Sequence, residues 1–290
     1  MKTKAFLLIV LACVLWGTSG IFVHFLSPVG YSSLNMTGIR AVVAFLCMFG
    51  YSLAFKRKSL RIKKSGFLLS VAMGVSFFAT AAFYFTSMQL TSVSTAVVLM
   101  YTAPIYVTLY SSLFLGEKMT KPKLLAVALV VLGCVMVSGA IGEMSFDPLG
   151  VAIGVLSGIA YAAYNVFAKI SMRAGNDAGS ATLYCFLAAT VVAVIVADPV
   201  GVVKVTAQNP IAYIPALIAL GIVTCVVPYF AYTIAMRTLP AGVVSSLGII
   251  EPMSATLFSV LLFGEELGIV KIIGILIILI AVALLGREKE

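Results

Sequence analysis

Residues 92–117 read SVSTAVVLMYTAPIYVTLYSSLFLGE, and residues 240–265 read PAGVVSSLGIIEPMSATLFSVLLFGE. Each is an apolar run of the length that crosses a bilayer as a helix, about 20 residues, with a proline near its middle and a Gly-Glu pair at its end. Leu113-Phe114-Leu115-Gly116-Glu117 aligns on Leu261-Leu262-Phe263-Gly264-Glu265 at an offset of 148 residues. At that same offset Pro104 falls on Pro252, Lys123 on Lys271 and Tyr84 on Tyr232. One such match is within reach of chance in apolar sequence; four at one offset mark an internal repeat.

The rest of the chain has the same character. Of 290 residues 62% are hydrophobic and 10% charged, against about 45–50% and about 25% in soluble domains. So few charges cannot cover a soluble surface of this size. Apolar stretches fall at about 5–26, 34–55, 66–89, 92–115, 124–142, 148–168, 179–198, 211–235, 241–263 and 269–286. None alternates as a membrane barrel strand would. The expected fold is all-α, with ten transmembrane helices. Ser27-Pro28, Asp147-Pro148, Asp198-Pro199 and Asn209-Pro210 punctuate the short connections. No connection has room for a soluble domain, so function must lie in the helix bundle or its loops. The first apolar run continues past Trp16 to about Leu26, too long for a cleaved signal, and reads as a retained span.

The net charge of +9 reports orientation rather than nucleic-acid binding. The connection Lys56-Arg57-Lys58-Ser59-Leu60-Arg61-Ile62-Lys63-Lys64 marks the cytoplasmic side, because Lys and Arg accumulate in cytoplasmic loops. Alternation from there puts both termini in the cytoplasm. Sixteen of the nineteen basic residues then lie inside, Lys204 and Lys271 outside, and Arg40 within a span, while Glu143, Asp147, Asp198, Glu265 and Glu266 gather outside. The expected location is the cytoplasmic membrane. The repeat divides the chain into residues 1–145 and 146–290, five spans each. Five is odd, so the second half enters from the opposite side. Inverted repeats of this kind are the architecture of secondary transporters, with substrate sites near the midplane.

Together these residues resemble the drug/metabolite transporter superfamily, in particular its EamA-type permeases. The resemblance rests on Trp16-Gly17, Arg40, the Pro104 to Gly116-Glu117 segment, Glu251-Pro252 and Gly264-Glu265. It covers nearly the whole chain and is unspecific for substrate. It implies an exporter or exchanger of small polar or zwitterionic metabolites, amino acids among them. Export of cationic or drug-like compounds is the alternative, and a channel-like or flippase-like protein is the alternative of another class. An enzyme is not expected, because the single His24 and scattered serines form no nucleophile–base motif. No cofactor or metal is expected either, with one histidine and five dispersed cysteines inside apolar stretches. The expected partners are the lipid bilayer, a small-molecule substrate and, through Glu251, protons; monomer and homodimer both stay open.

Glu251 is the strongest site candidate. A bare carboxylate at mid-membrane costs about 3 kcal/mol unless it is protonated or paired, and the repeat puts Ala103 in its place. It either couples protons, neutralises a substrate amino group, or is a structural carboxyl bonded to a neighbouring helix. Arg40 binds a substrate carboxylate, pairs with Glu251, or snorkels to the outer interface. Pro104 and Pro252 lack an N–H and should free the carbonyls of Met100 and Gly248, which makes them hinge candidates. Pro228 interrupts the eighth span, but its repeat counterpart is Thr80. Trp16, Tyr84, Tyr101, Tyr161, Tyr164, Tyr229 and Tyr232 cluster at similar depths. Of these Trp16, Tyr84, Tyr101 and Tyr232, with Asn165, complete the substrate-binding candidates; ordinary interhelical packing is the competing reading for each. His24 reads as interfacial. The small face Gly150, Gly154, Gly158 serves packing within the molecule or dimerisation.

Overall fold

The computed structural model describes residues 2–91, 93–137, 147–264 and 268–287. Glu143, Glu265, Glu266, Lys289 and the last five residues expected in the fifth span lie outside them. Every regular element described is helical, and helices occupy all ten expected stretches. In order these are α1 (Lys2–Gly17) with α2 (Ser19–Leu26); α3 (Ser33–Phe55); α4 (Lys64–Leu90); α5 (Val93–Met100) with α6 (Ala103–Phe114); and α7 (Lys121–Val137). Then follow α8 (Pro148–Arg173); α9 (Ala178–Val196); a short α10 (Pro199–Thr206); α11 (Pro210–Gly221), a π-turn (Ile222–Val226) and α12 (Val227–Ala235); α13 (Ala241–Leu247) with α14 (Ile250–Phe263); and α15 (Ile269–Arg287). Among the described residues eight helical stretches are long and apolar enough to cross a membrane. The remaining two, α7 and α15, pack along one another, with Gly133 admitting Ile278 and the Gly274 carbonyl.

The molecule is built for lipid. Large side chains such as Phe55, Ile195 and Ile211 point outward, 79–89% exposed, while the interior is rich in Ala, Gly and Ser. Small residues let backbones close in where no hydrophobic effect drives helices together. Gly150, Gly154 and Gly158 do this inside the chain: an added Cβ would run into Leu90 and Thr91, Ser87 and Leu99, and the Leu99 carbonyl respectively. That face of α8 is used up within one molecule.

The Asp-Pro and Asn-Pro pairs act as helix starts. Asp147, Asp198 and Asn209 each accept a hydrogen bond from the backbone N–H three residues on, with proline at the first helical turn. One of these starts α10, a helix within a stretch expected to be plain connection. Its Val202 and Val205 pack inward while Val200 and Val203 stay exposed.

Among the described residues four stretches are interrupted. The breaks ahead of Pro104 and Pro252 fall at Tyr101–Thr102 and Gly248–Ile249, and the eighth stretch widens into the π-turn ahead of Pro228. The break at Thr18 has no proline. There both the N–H and the hydroxyl of Thr18 turn back to the Leu15 carbonyl, at 3.2 and 2.6 Å, which diverts the backbone from helical pairing.

Packing between helices follows a reciprocal pattern. α4 lies on α8 and α1 on α12; α5 and α6 lie on α8, and α14 on α1; α3 packs on α9, α6 on α13 and α7 on α15. The connections after α3, α6, α8 and α12 meet at one face, through Lys56–Asp177, Arg237–Asp177 and Arg173–Glu117. The connection after α2 meets the end of α10 at the other, where the Tyr31 and Thr206 hydroxyls pair at 2.8 Å. Gly116 and Gly264 end α6 and α14 with φ of 66° and 68°, the left-handed geometry that glycine takes without strain.

Candidate functional site

Within the membrane each polar group needs a partner, so the partners of the interior polar side chains outline the site. Pro252 cannot donate to Gly248. That carbonyl, expected to be free, instead accepts the Glu251 N–H at 2.9 Å in a tight turn. The turn sets Glu251 in the first turn of α14, where the helix dipole favours a negative charge. The Tyr101 hydroxyl, from the break between α5 and α6, donates to Glu251 Oε2 at 2.9 Å. Tyr101 is fully buried and Glu251 partly exposed. Gly17 brings α1 against the same turn; a Cβ there would sit 3.1 Å from the Glu251 carbonyl and 3.0 Å from the Ala255 nitrogen.

Trp16, beside Gly17, begins an aromatic wall. Its ring lies 4.8 Å from Tyr229 and 5.2 Å from Tyr232. Tyr229 is also flanked by Phe77, Tyr164 and Phe186 at 5.1, 5.5 and 5.7 Å. The Trp16 Nε1–H is buried with no acceptor. Asn165 and Tyr232 are both fully buried and bonded to each other, and Asn165 Nδ2 also donates to the Tyr161 carbonyl at 2.7 Å. These two brace α8 against α12. Tyr84 is partly exposed and stands against Phe85.

Arg40 turns to the backbone of the eighth stretch. Its Nη2 donates to the Thr224 carbonyl at 3.2 Å. Thr224 lies four residues before Pro228, whose missing N–H leaves that carbonyl open. The guanidinium fills the gap, while its buried Nε has no acceptor. Arg40 makes no ion pair with Glu251; its contact is with the Thr224 carbonyl.

Three charged side chains that seemed to belong to connections or span ends are buried. Lys123 and Glu117 are 3% and 9% exposed and pair at 3.3 Å; Lys169 donates to the Met236 and Leu239 carbonyls at the end of α12. Nearby, Asp177 starts α9. Burial alone would raise its carboxyl, but hydrogen bonds from Lys56 and the Ser180 N–H, the charge of Lys56 and the Ser59 hydroxyl outweigh that and hold it below the usual carboxylate range. His24 is exposed, with its ring edge-on to Phe25. Among the described residues no three His, Cys, Asp or Glu side chains converge as metal ligands would. An apolar groove of about 320 Å³ between α3, α9, α10 and α11, lined by Val43, Val194 and Ile218 among others, contains no charged group and is separate from Glu251.

This geometry is that of a membrane protein with one carboxylate and one guanidinium held among broken helices. The profile of the EamA-like transporter family matches two segments, residues 3–139 and 148–287. The chain belongs to the EamA-like transporter family. It is similar to a transporter of Archaeoglobus fulgidus, 30% identical over 97% of this chain and 95% of the relative. It is 26% identical to the inner membrane transporter YedA of Escherichia coli K12, over 95% and 88% of the two chains. It is also 26% identical to the threonine/homoserine exporter RhtA of Salmonella typhimurium, over 85% and 79%. One crystal structure superposes with a TM-score of 0.81 at 19% identity, covering 98% of this chain and 96% of its own, which fixes the fold. This EamA-like protein is therefore a multi-pass membrane transporter. Two of its site features lay beyond sequence reading: the bond from Arg40 to Thr224, and the central position of Tyr229 in the aromatic wall.

Proposed function

We propose that this transporter exports small zwitterionic metabolites such as amino acids, by alternating access between two inverted halves, residues 1–145 and 146–290. The observation that carries the reading is the Tyr101 to Glu251 bond at 2.9 Å. It joins the broken helix of one half to that of the other, so rocking the halves alters the surroundings of the carboxylate. The reciprocal packing, and loops of like position in the two halves meeting at opposite faces, support the inversion. The asymmetry of basic residues supports cytoplasmic termini.

In this reading the substrate ammonium is held by Glu251 and by the faces of Trp16 and Tyr229 through cation–π attraction. Its carboxylate takes the Arg40 N–H groups that Thr224 leaves over. Trp16 Nε1 is a further donor. Glu251 also exchanges protons with whichever side has access, which couples export to the proton gradient. Pro104 and Pro252 mark the turns about which the halves move. Kinship with a threonine/homoserine exporter supports the substrate class.

A second reading, export of cationic or drug-like compounds, draws on the aromatic wall beside a lone carboxylate together with Arg40 being engaged by backbone. Counterflow into proteoliposomes of purified protein separates the two. Saturable exchange of neutral amino acids, lost in Arg40→Lys, is the expected result. Exchange of quaternary ammonium compounds alone, indifferent to Arg40→Lys, favours the second reading. Non-saturable flux contradicts both and points to a channel.

A further inference from the structure

The proposed carrier needs a route from Glu251 to the basic face, and the seam between α6 and α13 has the chemistry of one. Four hydroxyls along these two helices, Thr108, Ser111, Ser245 and Ser246, are buried without a hydrogen-bond partner. Buried polar groups are rarely left so, and each is an unmade hydrogen bond that water would satisfy. At the inner end of the seam α13 runs into the Gly248–Ile249 turn that carries Glu251. At the other end stands a charged closure. Glu117 accepts the Ala241 N–H at 2.9 Å and Lys123 Nζ at 3.3 Å, with Arg173 at 3.9 Å. Gly242 makes room for it, since a Cβ there would lie 2.8 Å from both Lys123 Cε and Thr108 Oγ1. Glu117 and Lys123 come from the first half of the chain, Ala241 and Arg173 from the second, so the closure ties the halves together.

We infer that the Glu117–Lys123–Ala241 cluster is the gate on the basic face, closed in this structure, and that the α6–α13 seam behind it is the substrate path when the gate opens. A buried ion pair is a poor permanent rivet, because well-packed apolar residues stabilise as much or more. Charge suits a contact that is exchanged for water on opening. The hydroxyls, which no protein group satisfies, then line the opened seam as partners for water and substrate. The inference rests on the alternating-access reading for its purpose, but its geometry can be tested without any substrate.

The test places a single cysteine at Ser245 after Cys13, Cys47, Cys134, Cys185 and Cys225 have been replaced by alanine. A membrane-impermeant maleimide is applied to inside-out and right-side-out vesicles. With the gate residues intact, Ser245→Cys should label slowly from either side. Adding Glu117→Ala with Lys123→Met removes the pair without leaving a buried charge alone, and labelling from the basic face should rise at least tenfold. Gly242→Val, which wedges the seam and keeps both charges, should raise it at least threefold and covers the case in which the double variant does not fold. Unchanged labelling in the folded gate variants, or a rise only from the opposite face, overturns the inference. If labelling follows the gate but no metabolite in the counterflow panel is exchanged, the gate stands and the exporter reading falls.

Discussion

The helix pair α5–α6 and the pair α13–α14 are the same device used twice. Each breaks one turn ahead of a proline, Pro104 or Pro252, and each second helix ends in a left-handed glycine. A glycine from the other half seats each break: Gly158 against the Leu99 and Met100 carbonyls, Gly17 against the Glu251 carbonyl. The chemistry at the break differs. One pair carries Tyr101 and Ala103, the other carries Ile249 and Glu251, and the tyrosine of one bonds the carboxylate of the other. The shared features keep each of the two stretches broken at the same place. The unshared ones supply a single titratable group with a single donor. Repetition builds the frame, and departure from repetition sets the candidate site apart.

The comparison breaks if the carboxylate works equally well on either pair. Glu251→Ala should lower transport roughly a hundredfold, as expected when a hydrogen-bonded charge worth about 1.5–3 kcal/mol is lost. Adding Ala103→Glu, which restores a carboxylate at the equivalent place, should not recover it. Recovery in a counterflow assay would mean that position along the broken helix, not the Tyr101 partnership, decides function.

A third break, at Pro228, tests whether a loose backbone is always met by a dedicated partner. Arg40→Met should destabilise the fold by about 1–3 kcal/mol by leaving the Thr224 carbonyl unpaired. Pro228→Ala, which returns an N–H to that carbonyl, should restore the melting temperature of the double variant. It should not restore transport if Arg40 also holds substrate.

The seating glycines sharpen the parallel. Gly17→Val forces a side chain against Ser254 and the Ala255 backbone, at 2.7 and 3.0 Å from the Cβ alone, and should cost about 1–3 kcal/mol through overpacking. Gly158→Val should cost a similar amount. A loss at one site alone would show that only one break depends on close approach.

The smallest effect belongs to the loops. Asp177 is about a third exposed, so its pairs with Lys56 and Arg237 are screened and worth under about 1 kcal/mol. Its carboxyl is held below the ordinary range, so the stability it lends is present above about pH 4, where the unfolded carboxyl is ionised. That stability fades as the pH falls through its lower folded value. Asp177→Asn should therefore melt slightly lower than the parent near neutral pH and converge with it in acid.

Much of this was legible in the chain. Apolar length marked the ten long helical stretches but not the short α10, and among the described residues proline marked three of the four interruptions. Scarcity of charge singled out Arg40 and Glu251. Partners were another matter. Pro228 marked an interruption of the eighth span, but only folding brings Arg40 of α3 to the Thr224 carbonyl. Lys123 and Glu117 looked like loop charges because periodicity says nothing about a neighbouring segment closing over them. The break at Thr18 rests on a hydroxyl bonding to its own backbone, which threonines in intact helices such as Thr37 also do, so it carries no distinctive signature. The sequence names Asn165 and Tyr232 as binding candidates but not their bond to one another, which joins helices far apart in the chain.

The central claim is that Glu251, held by Tyr101 across the two halves, is the group whose charge and protonation drive transport. The direct test is counterflow of radiolabelled neutral amino acids in proteoliposomes across a range of pH, comparing wild type with Glu251→Gln at equal folded amounts. The account predicts saturable, pH-dependent exchange by the wild type and a roughly hundredfold slower, pH-independent residue in the variant. Wild-type rates with an unchanged pH profile in Glu251→Gln would contradict it.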